Sequence, residues 1–394
     1  MNKLKINIIL CFIISYSANC QNKNYDRKIF FPDLDNYLTL VTDFHQHTVF
    51  SDGSVWPTIR VDEGIRDGLD AVSLTEHLEY QPYKNDIPHP DRNRSYIVAS
   101  KYAESKNKSL EKKIIVINGQ EITRSMPPGH INAIFINDAN KLLAPDDSVK
   151  GILEANKQNA FVFWNHPGWP AQRSDGIARL DELHKYLIEN KLLHGIEVVN
   201  ELYYSEEALQ IAIDNDLTIM GTSDIHGLVD WLFKVPDDYE FNYDNSFSFP
   251  SHRPVTLVFA KEKTKEGIKE ALFNKRTAVF YNEMIIGREE YLRPLVKNCL
   301  IIKSRKSLEL GYSEDGNSSI VKIEIENNSD ALLTLKNLSP YSFEGSGDII
   351  YLGPNSLNEL SVKTRGEKID KISFEVLNAI TAPKENLLIN LYLD

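Results

Sequence analysis

Residues 42–53 read TDFHQHTVFSDG, and they follow directly on the apolar run that begins at Leu40. On an extended strand the side chains at i and i+2 point the same way. His45 and His47 are therefore expected to face one side together and to be able to share one ion. Asp52 follows in a Ser-Asp-Gly turn. The same pattern recurs along the chain. AVSLT at 71–75 ends in Glu76 and His77, and IIVING at 114–119 leads to Glu121. AFVFW at 160–164 leads to Asn165 and His166, GIEVV at 195–199 contains Glu197, and LTIMGTS at 217–223 ends in Asp224 and His226. His130 opens INAIFI at 131–136 rather than closing a run, and reaches the same side if that strand runs antiparallel to the one before it.

These runs are short and rich in Val, Ile and Phe, as buried strands are. Helix-like segments lie between them. WPTIRVDEGIRDG has Ser54 as an N-cap, Pro57 in its first turn and Gly68 near its end. RLDELHKYLIENK and SEEALQIAIDND space their apolar residues by three and four. Alternation of this kind indicates a parallel α/β fold, and in an α/β barrel the carboxyl ends of the strands share the face where active sites form. The segment 240–254 reads as a loop, and an amphipathic helix over roughly 265–274 closes the unit. From about residue 297 the pattern changes to alternating or apolar runs separated by SEDGNSS and EGSGD, with no helical spacing. That predicts a small β-sandwich-like module. The divisions expected are 1–20 as a signal, 21–37 as a polar lead-in, 38–290 as the α/β barrel and 297–394 as the β-rich domain.

The chain has 394 residues, 42% hydrophobic and 25% charged, with a formal net charge of −12. Such an acidic balance is against duplex nucleic-acid binding, which needs a basic surface. Lys3 and Lys5 precede the apolar run at 6–16, and Ser17 and Ala18 follow, the layout of a bacterial export signal. Cys20 is the candidate lipid anchor of a periplasmic or outer-membrane lipoprotein. No other segment is apolar enough to cross a bilayer, so no transmembrane helix is expected in the mature chain. With three cysteines in all, one of them in the signal, a disulfide framework is not in use.

HQHTVFSDG, LTEH, GQEIT, GHINAIFI, NHPG, IEVVN and GTSDIH, in that order, resemble the motifs of the PHP (polymerase and histidinol phosphatase) superfamily over roughly residues 40–285. The export signal, the RPVTLVFA run, the Arg-Thr-Ala-Val-Phe segment and the C-terminal β module are similar to those of the Sb-PDE-type phosphodiesterases within it. The resemblance implies a distorted (β/α)7 barrel with up to three metal ions. It implies that a first ion takes His45, His47, Glu121 and Asp224, and that Glu121 bridges to a second on His130 and His166. A third would take Asp52, His77 and His226. Glu121, Asp224 and His226 carry the catalytic expectation. Glu76 stands where the usual motif reads Thr-Asp-His, and with Glu197 it is expected behind the ligands rather than among them. Mixed carboxylate and imidazole donors suit Zn, Mn or Fe better than Ca or Mg.

Three divalent ions against Asp52, Glu121 and Asp224 leave the site about three units positive, which favours phosphoryl groups. The expected activity is hydrolysis of a small phosphate ester, a phosphodiester foremost, by water bridging two ions and attacking phosphorus in line. A phosphomonoesterase acting on nucleotide or sugar phosphates is the rival enzyme, which extra pocket arginines would favour. A non-catalytic metal- or ligand-binding surface protein is the rival from another class. Arg124, Arg173 and Arg253 are candidate phosphate clamps, and Trp169 a candidate pocket wall. Trp164 reads as core, while His184 and His194 read as helix-surface or helix-end residues.

Overall fold

The computed structural model describes residues 28–233, 252–308, 320–364 and 367–393. The signal segment, Cys20 and most of the 240–254 loop lie outside these residues. The first apolar runs form β1 (Leu38–Asp43), β2 (Ala71–Leu74), β3 (Ile115–Ile122), β4 (Ile131–Ile134), β5 (Phe161–Trp164) and β6 (Gly195–Asn200). The short β7 (Tyr203–Tyr204) and then β8 (Thr218–Thr222) follow. Pairing is parallel from β1 to β2 and from β2 to β3, antiparallel on both sides of β4, and parallel again from β5 to β6 and from β6 to β8. The ring closes where Gln46, just beyond β1, bridges in parallel to Ile225, just beyond β8. There the His47 N–H donates to the Ile225 carbonyl at 3.1 Å. Leu40, Ala71, Ile117, Ile134, Phe163 and Met220, from six of these strands, meet in one buried cluster, as the interior of a barrel requires.

Helices α1 (Pro57–Arg66), α2 (Arg94–Lys106), α3 (Lys150–Lys157), α4 (Glu182–Glu189), α5 (Glu206–Asp214), the single turn α6 (Val229–Leu232) and α7 (Lys265–Phe273) occupy the connections. The start of α1 differs from the expectation. Trp56, not Ser54, is its N-cap, because the Ser54 N–H donates to the His226 carbonyl at 2.7 Å and holds that residue in the loop. Pro57 at the first position presets φ and needs no hydrogen-bond partner. His184 and His194 also depart from the surface reading. His184 is fully buried in the first turn of α4, its ring stacked 3.9 Å from Trp164 and one nitrogen bonded to the Pro128 carbonyl. His194 packs its ring on Phe161 and Phe273.

β9 (Val255–Ala260) lies antiparallel beside β1, and β10 (Thr277–Tyr281) and β11 (Met284–Gly287) continue outward. An unexpected helix, α8 (Glu289–Cys299), then buries Leu292, Leu295, Val296 and Cys299. The C-terminal strands are β12 (Leu300–Leu308), β13 (Ile320–Asn327), β14 (Leu333–Asn337), β15 (Ser342–Glu344), β16 (Ile349–Leu352), β17 (Ser356–Lys363), β18 (Lys371–Ala382) and β19 (Glu385–Tyr392). One sheet runs β12-β13-β17-β15, while β16-β14-β18 with β19 forms the other. Burial alternates along β13, as one face packed on a core demands. The second sheet is not separate from the barrel, because β11 pairs in parallel with β18 at Ile285↔Ala379 and Ile286↔Ile380. A single apolar core runs from Leu257 and Phe259 through Leu295 to Ile323, Leu333 and Phe374. Residues 28–37 dock on it through the buried Ile29, Phe31 and Leu34. No helix among the described residues is long and apolar enough to cross a membrane.

Candidate metal centre

The reversed direction of β4 sets the site. Glu121, next to last in β3, faces Asn132 of β4 in register, which brings His130, just ahead of β4, to the end of the barrel where β1, β5, β6 and β8 terminate. β1 itself stops at Asp43, so His45 and His47 sit beyond the ladder in the closing segment rather than on the strand. They still converge. The two Nε2 atoms are 3.0 Å apart, and Asp224 Oδ1 lies 3.1 Å from one and 3.0 Å from the other. Glu121 completes this group at 3.7 Å from each ring nitrogen.

A second group surrounds Asp52, with its oxygens 3.3 Å from His77 Nε2 and 3.3 Å from His226 Nε2. His47 stacks on the His226 ring at 4.2 Å and so touches both groups. The third gathers on Glu121. His130 Nδ1 is 3.0 Å and His166 Nε2 3.6 Å from Oε1, while His77 Nδ1 comes within 2.6 Å of Oε2. All nine side chains therefore meet at one centre, with His77 nearer Glu121 than a place beside Asp52 alone would need. Asp224 and His166 hold positive φ values of 45° and 28°, strain that a packed site must support.

The chemistry of the donor set fits divalent cations. Asp52 Oδ1, Glu121 Oε2 and Asp224 Oδ1 are buried without a well-oriented hydrogen-bond donor, although ring nitrogens stand close by. Buried oxygens left so are costly unless something positive occupies the space between them. Ring tautomers agree. His45 Nδ1 is 2.7 Å from Glu197 Oε1 and His226 Nδ1 is 2.8 Å from the Asp224 carbonyl, which leaves each Nε2 lone pair aimed at the carboxylates. Burial, with the charges of His226 and His77, pushes His47 down to about 3, so that ring is neutral. Burial also opposes charge on His226, but its bond to Asp52 and the Asp224 charge outweigh this and raise it to about 9. For Glu121, burial acts upward while His77 and His130 hold it well below the usual carboxylate range.

Behind these groups stands a layer of positioning contacts. Glu197 also accepts from the His166 N–H at 2.7 Å, from Thr222 Oγ1 at 2.6 Å and from Asn200 Nδ2 at 2.8 Å. Glu76 accepts from the Thr48 N–H, Ser51 Oγ and Ser95 Oγ, so its longer side chain pins the loop that carries Asp52. Gly53 is required in that loop, because a Cβ there would lie 2.6 Å from the backbone of His47 and Thr48. Arg60, fully buried, donates to the His47 and Ile225 carbonyls and braces the barrel closure. Arg60 and Asn200 escaped the sequence reading, although Asn200 closes the IEVVN motif and so was marked by position.

A cavity of about 560 Å³ opens over the centre. Trp169 lines it, together with Glu201, Tyr203 and Tyr204, which sequence reasoning missed. The three arginine candidates do not. Arg253 is buried against Asp67, 2.7 Å away, and Asp43, 3.2 Å away. Arg124 pairs with Glu79 and bonds the Thr123 and Ala144 carbonyls. Arg173 pairs with Asp181. Each guanidinium is thus paired with a carboxylate, and none lines the cavity.

Comparison with known proteins agrees with this architecture. A family model described as an Ig-like domain matches residues 307–392. No curated protein matches the chain. Among solved structures, a two-domain protein from Bacteroides vulgatus, described as containing a predicted PHP-like metal-dependent phosphoesterase, is 41% identical. The alignment covers 93% of this chain and 98% of that one, with a TM-score of 0.78. PsfC from Pseudomonas syringae aligns at 15% identity and a TM-score of 0.38, over 61% of this chain and 91% of its own. An amidohydrolase from Chromobacterium violaceum aligns at 14% and 0.34, over 47% and 87%. With two-domain identity of this extent to the Bacteroides protein, the chain belongs to the PHP superfamily.

Proposed function

We propose that the protein is a metal-dependent phosphoesterase that prefers phosphodiesters. The observation that carries this is the meeting of six histidines and three carboxylates at one barrel end, with buried carboxylate oxygens left for cations. His45, His47, Glu121 and Asp224 would hold one ion, Glu121, His130 and His166 a second, and Asp52, His77 and His226 a third. Zn, Mn or Fe in these positions supplies Lewis-acid activation of water and neutralises charge on phosphoryl oxygens.

The protein's own residues orient and select. Glu197 fixes the His45 ring and the backbone of His166, Glu76 fixes the Asp52 loop, and Trp169 walls the cavity. Charge supports a diester. No Lys or Arg is among the described lining residues, and five carboxylates are: Asp52, Glu121, Glu197, Glu201 and Asp224. Three divalent ions against these leave a surplus of about one positive charge, which balances a diester monoanion better than a monoester dianion. The kinship to Sb-PDE-type phosphodiesterases, export from the cytoplasm with a lipid anchor at Cys20, and a catalytic unit over 38–290 belong to the same proposal. The test compares hydrolysis of bis(p-nitrophenyl) phosphate and p-nitrophenyl phosphate by metal-replete protein. Faster diester turnover is expected; a strong monoester preference refutes the choice of substrate class, and no turnover of either refutes the hydrolase.

A further inference from the structure

Among the described lining residues, the cavity has one carboxylate that the metal centre does not employ. Glu201 lines it, and among the described residues its carboxylate makes no hydrogen bond or ion pair. It occupies the first turn position of the tight hairpin between β6 and β7, where Asn200 pairs with Tyr203. Its φ of 49° is a conformation that Gly or Asn adopts far more readily in such turns. A Glu is thus held at a turn position its backbone disfavours, beside a cavity, with no direct hydrogen-bond or ion-pair partner among the described residues.

Its neighbours are aromatic. Tyr203 and Tyr204 follow on β7, and Trp169 lies on the opposite loop, its ring 5.6 Å from His130 and 5.2 Å from His166. All three line the cavity, and the Tyr204 hydroxyl is buried there without a partner. Anionic carboxylate and aromatic faces together recognise ammonium groups, since a cation is drawn both to the charge and to the ring faces. The absence of Lys and Arg among the described lining residues removes competition for that place.

We propose that the cavity takes zwitterionic phosphodiesters, with the phosphate at the metal centre and an ammonium-bearing alcohol, of the choline or ethanolamine type, against Glu201 and the aromatic wall. This inference rests on the phosphodiesterase reading and adds the class of headgroup. Glu201 here is a specificity residue that touches the substrate away from the reacting atoms.

The test uses metal-replete protein and two substrates with the same leaving group. One is p-nitrophenyl phosphorylcholine, a zwitterion; the other is its isostere with an uncharged head group, the monoanion 3,3-dimethylbutyl p-nitrophenyl phosphate. The expected kcat/KM ratio is about tenfold or more in favour of the cation, carried by KM, in keeping with a partly desolvated ammonium site. Glu201→Gln brings the ratio toward one, and Glu201→Asp, which keeps the charge, retains part of it. A wild-type ratio of one or less, or a ratio that Glu201→Gln leaves intact, overturns the proposal. An equal fall in kcat for both substrates would instead make Glu201 part of the chemistry and overturn it as well. Turnover of the dimethylbutyl diester reads the hydrolase assignment separately. If neither diester turns over, equilibrium binding of phosphocholine against 3,3-dimethylbutyl phosphate decides the headgroup question, with equal affinity as the contrary result.

Discussion

Replacing Arg253 with Met separates a structural arginine from a substrate clamp. The guanidinium is 1% exposed, donates twice to Asp67 Oδ2 at 3.0 and 2.7 Å, and reaches Asp43 Oδ2 at 3.2 Å. Asp43 also accepts from Ser223, the residue before Asp224, so this triad ties the ends of β1 and α1 to the metal-bearing loop after β8. Arg253→Met keeps most of the volume but leaves buried Asp43 without its cation and Asp67 without the pairing at Oδ2, Arg66 still standing 3.0 Å from Oδ1. Breaking a buried pair by removing one partner costs about 3–5 kcal/mol. At roughly 2–4 °C per kcal/mol for a domain of this size, Tm should fall by on the order of 10 °C. Burial raises Asp43 even with Arg253 beside it. The deficit should therefore shrink on acidification, as Asp43 takes up a proton and the unpaired charge disappears. Thermal unfolding against pH, with diester KM measured well below Tm, reads both quantities. A KM raised more than tenfold with Tm unchanged would refute the structural role and restore the clamp.

Other expectations follow from the same contacts. Glu197→Gln turns one of two accepting oxygens into a donor, so it cannot serve both His45 and the His166 N–H, and should weaken metal binding by about 10–100-fold in chelator competition; unchanged affinity would show these groups are held without it. In the metal-free protein the folded value of His226, about 9, exceeds the ordinary 6.5. Its charged pairing thus stabilises that form fully below pH 6.5 and is lost as pH rises through about 9. Because a cation needs the neutral ring, metal affinity should rise over this interval by up to about tenfold per pH unit for each proton released; a flat titration would contradict it. Gly221→Ala would place a Cβ 2.3 Å from Val279 Cγ1, in the contact between β8 and β10. A loss of about 1–3 kcal/mol in denaturant unfolding is expected from such overpacking, and a neutral effect would mean that β10 moves freely.

The barrel was legible because buried parallel strands are apolar runs, and polar residues that close such runs have few reasons to be there. Even His130 could be placed, since a short connection from β3 to β4 forces a reversal. What escaped was whatever depends on partners remote in sequence. Arg253 stood as a candidate phosphate clamp because nothing in its own loop shows that Asp43 and Asp67 fold against it. The pairing of β11 with β18 joins segments some 90 residues apart, so nothing in the C-terminal pattern itself told that its sheet continues the barrel's. Helix α8 was obscured by Pro294 within it. His184 looked like a helix-face residue because its periodicity gives no sign that Trp164 lies under it. Glu201 was hidden by the two-residue hairpin, which turns a charged residue back over the site instead of away from it.

Metal content per chain, measured after reconstitution and removal of free ions, tests the central claim most directly. About three equivalents are expected from the three ligand groups, and Asp52→Asn, which weakens the group around His77 and His226, should remove about one of them. A single equivalent in the wild type, unchanged by Asp52→Asn, would contradict a three-ion centre.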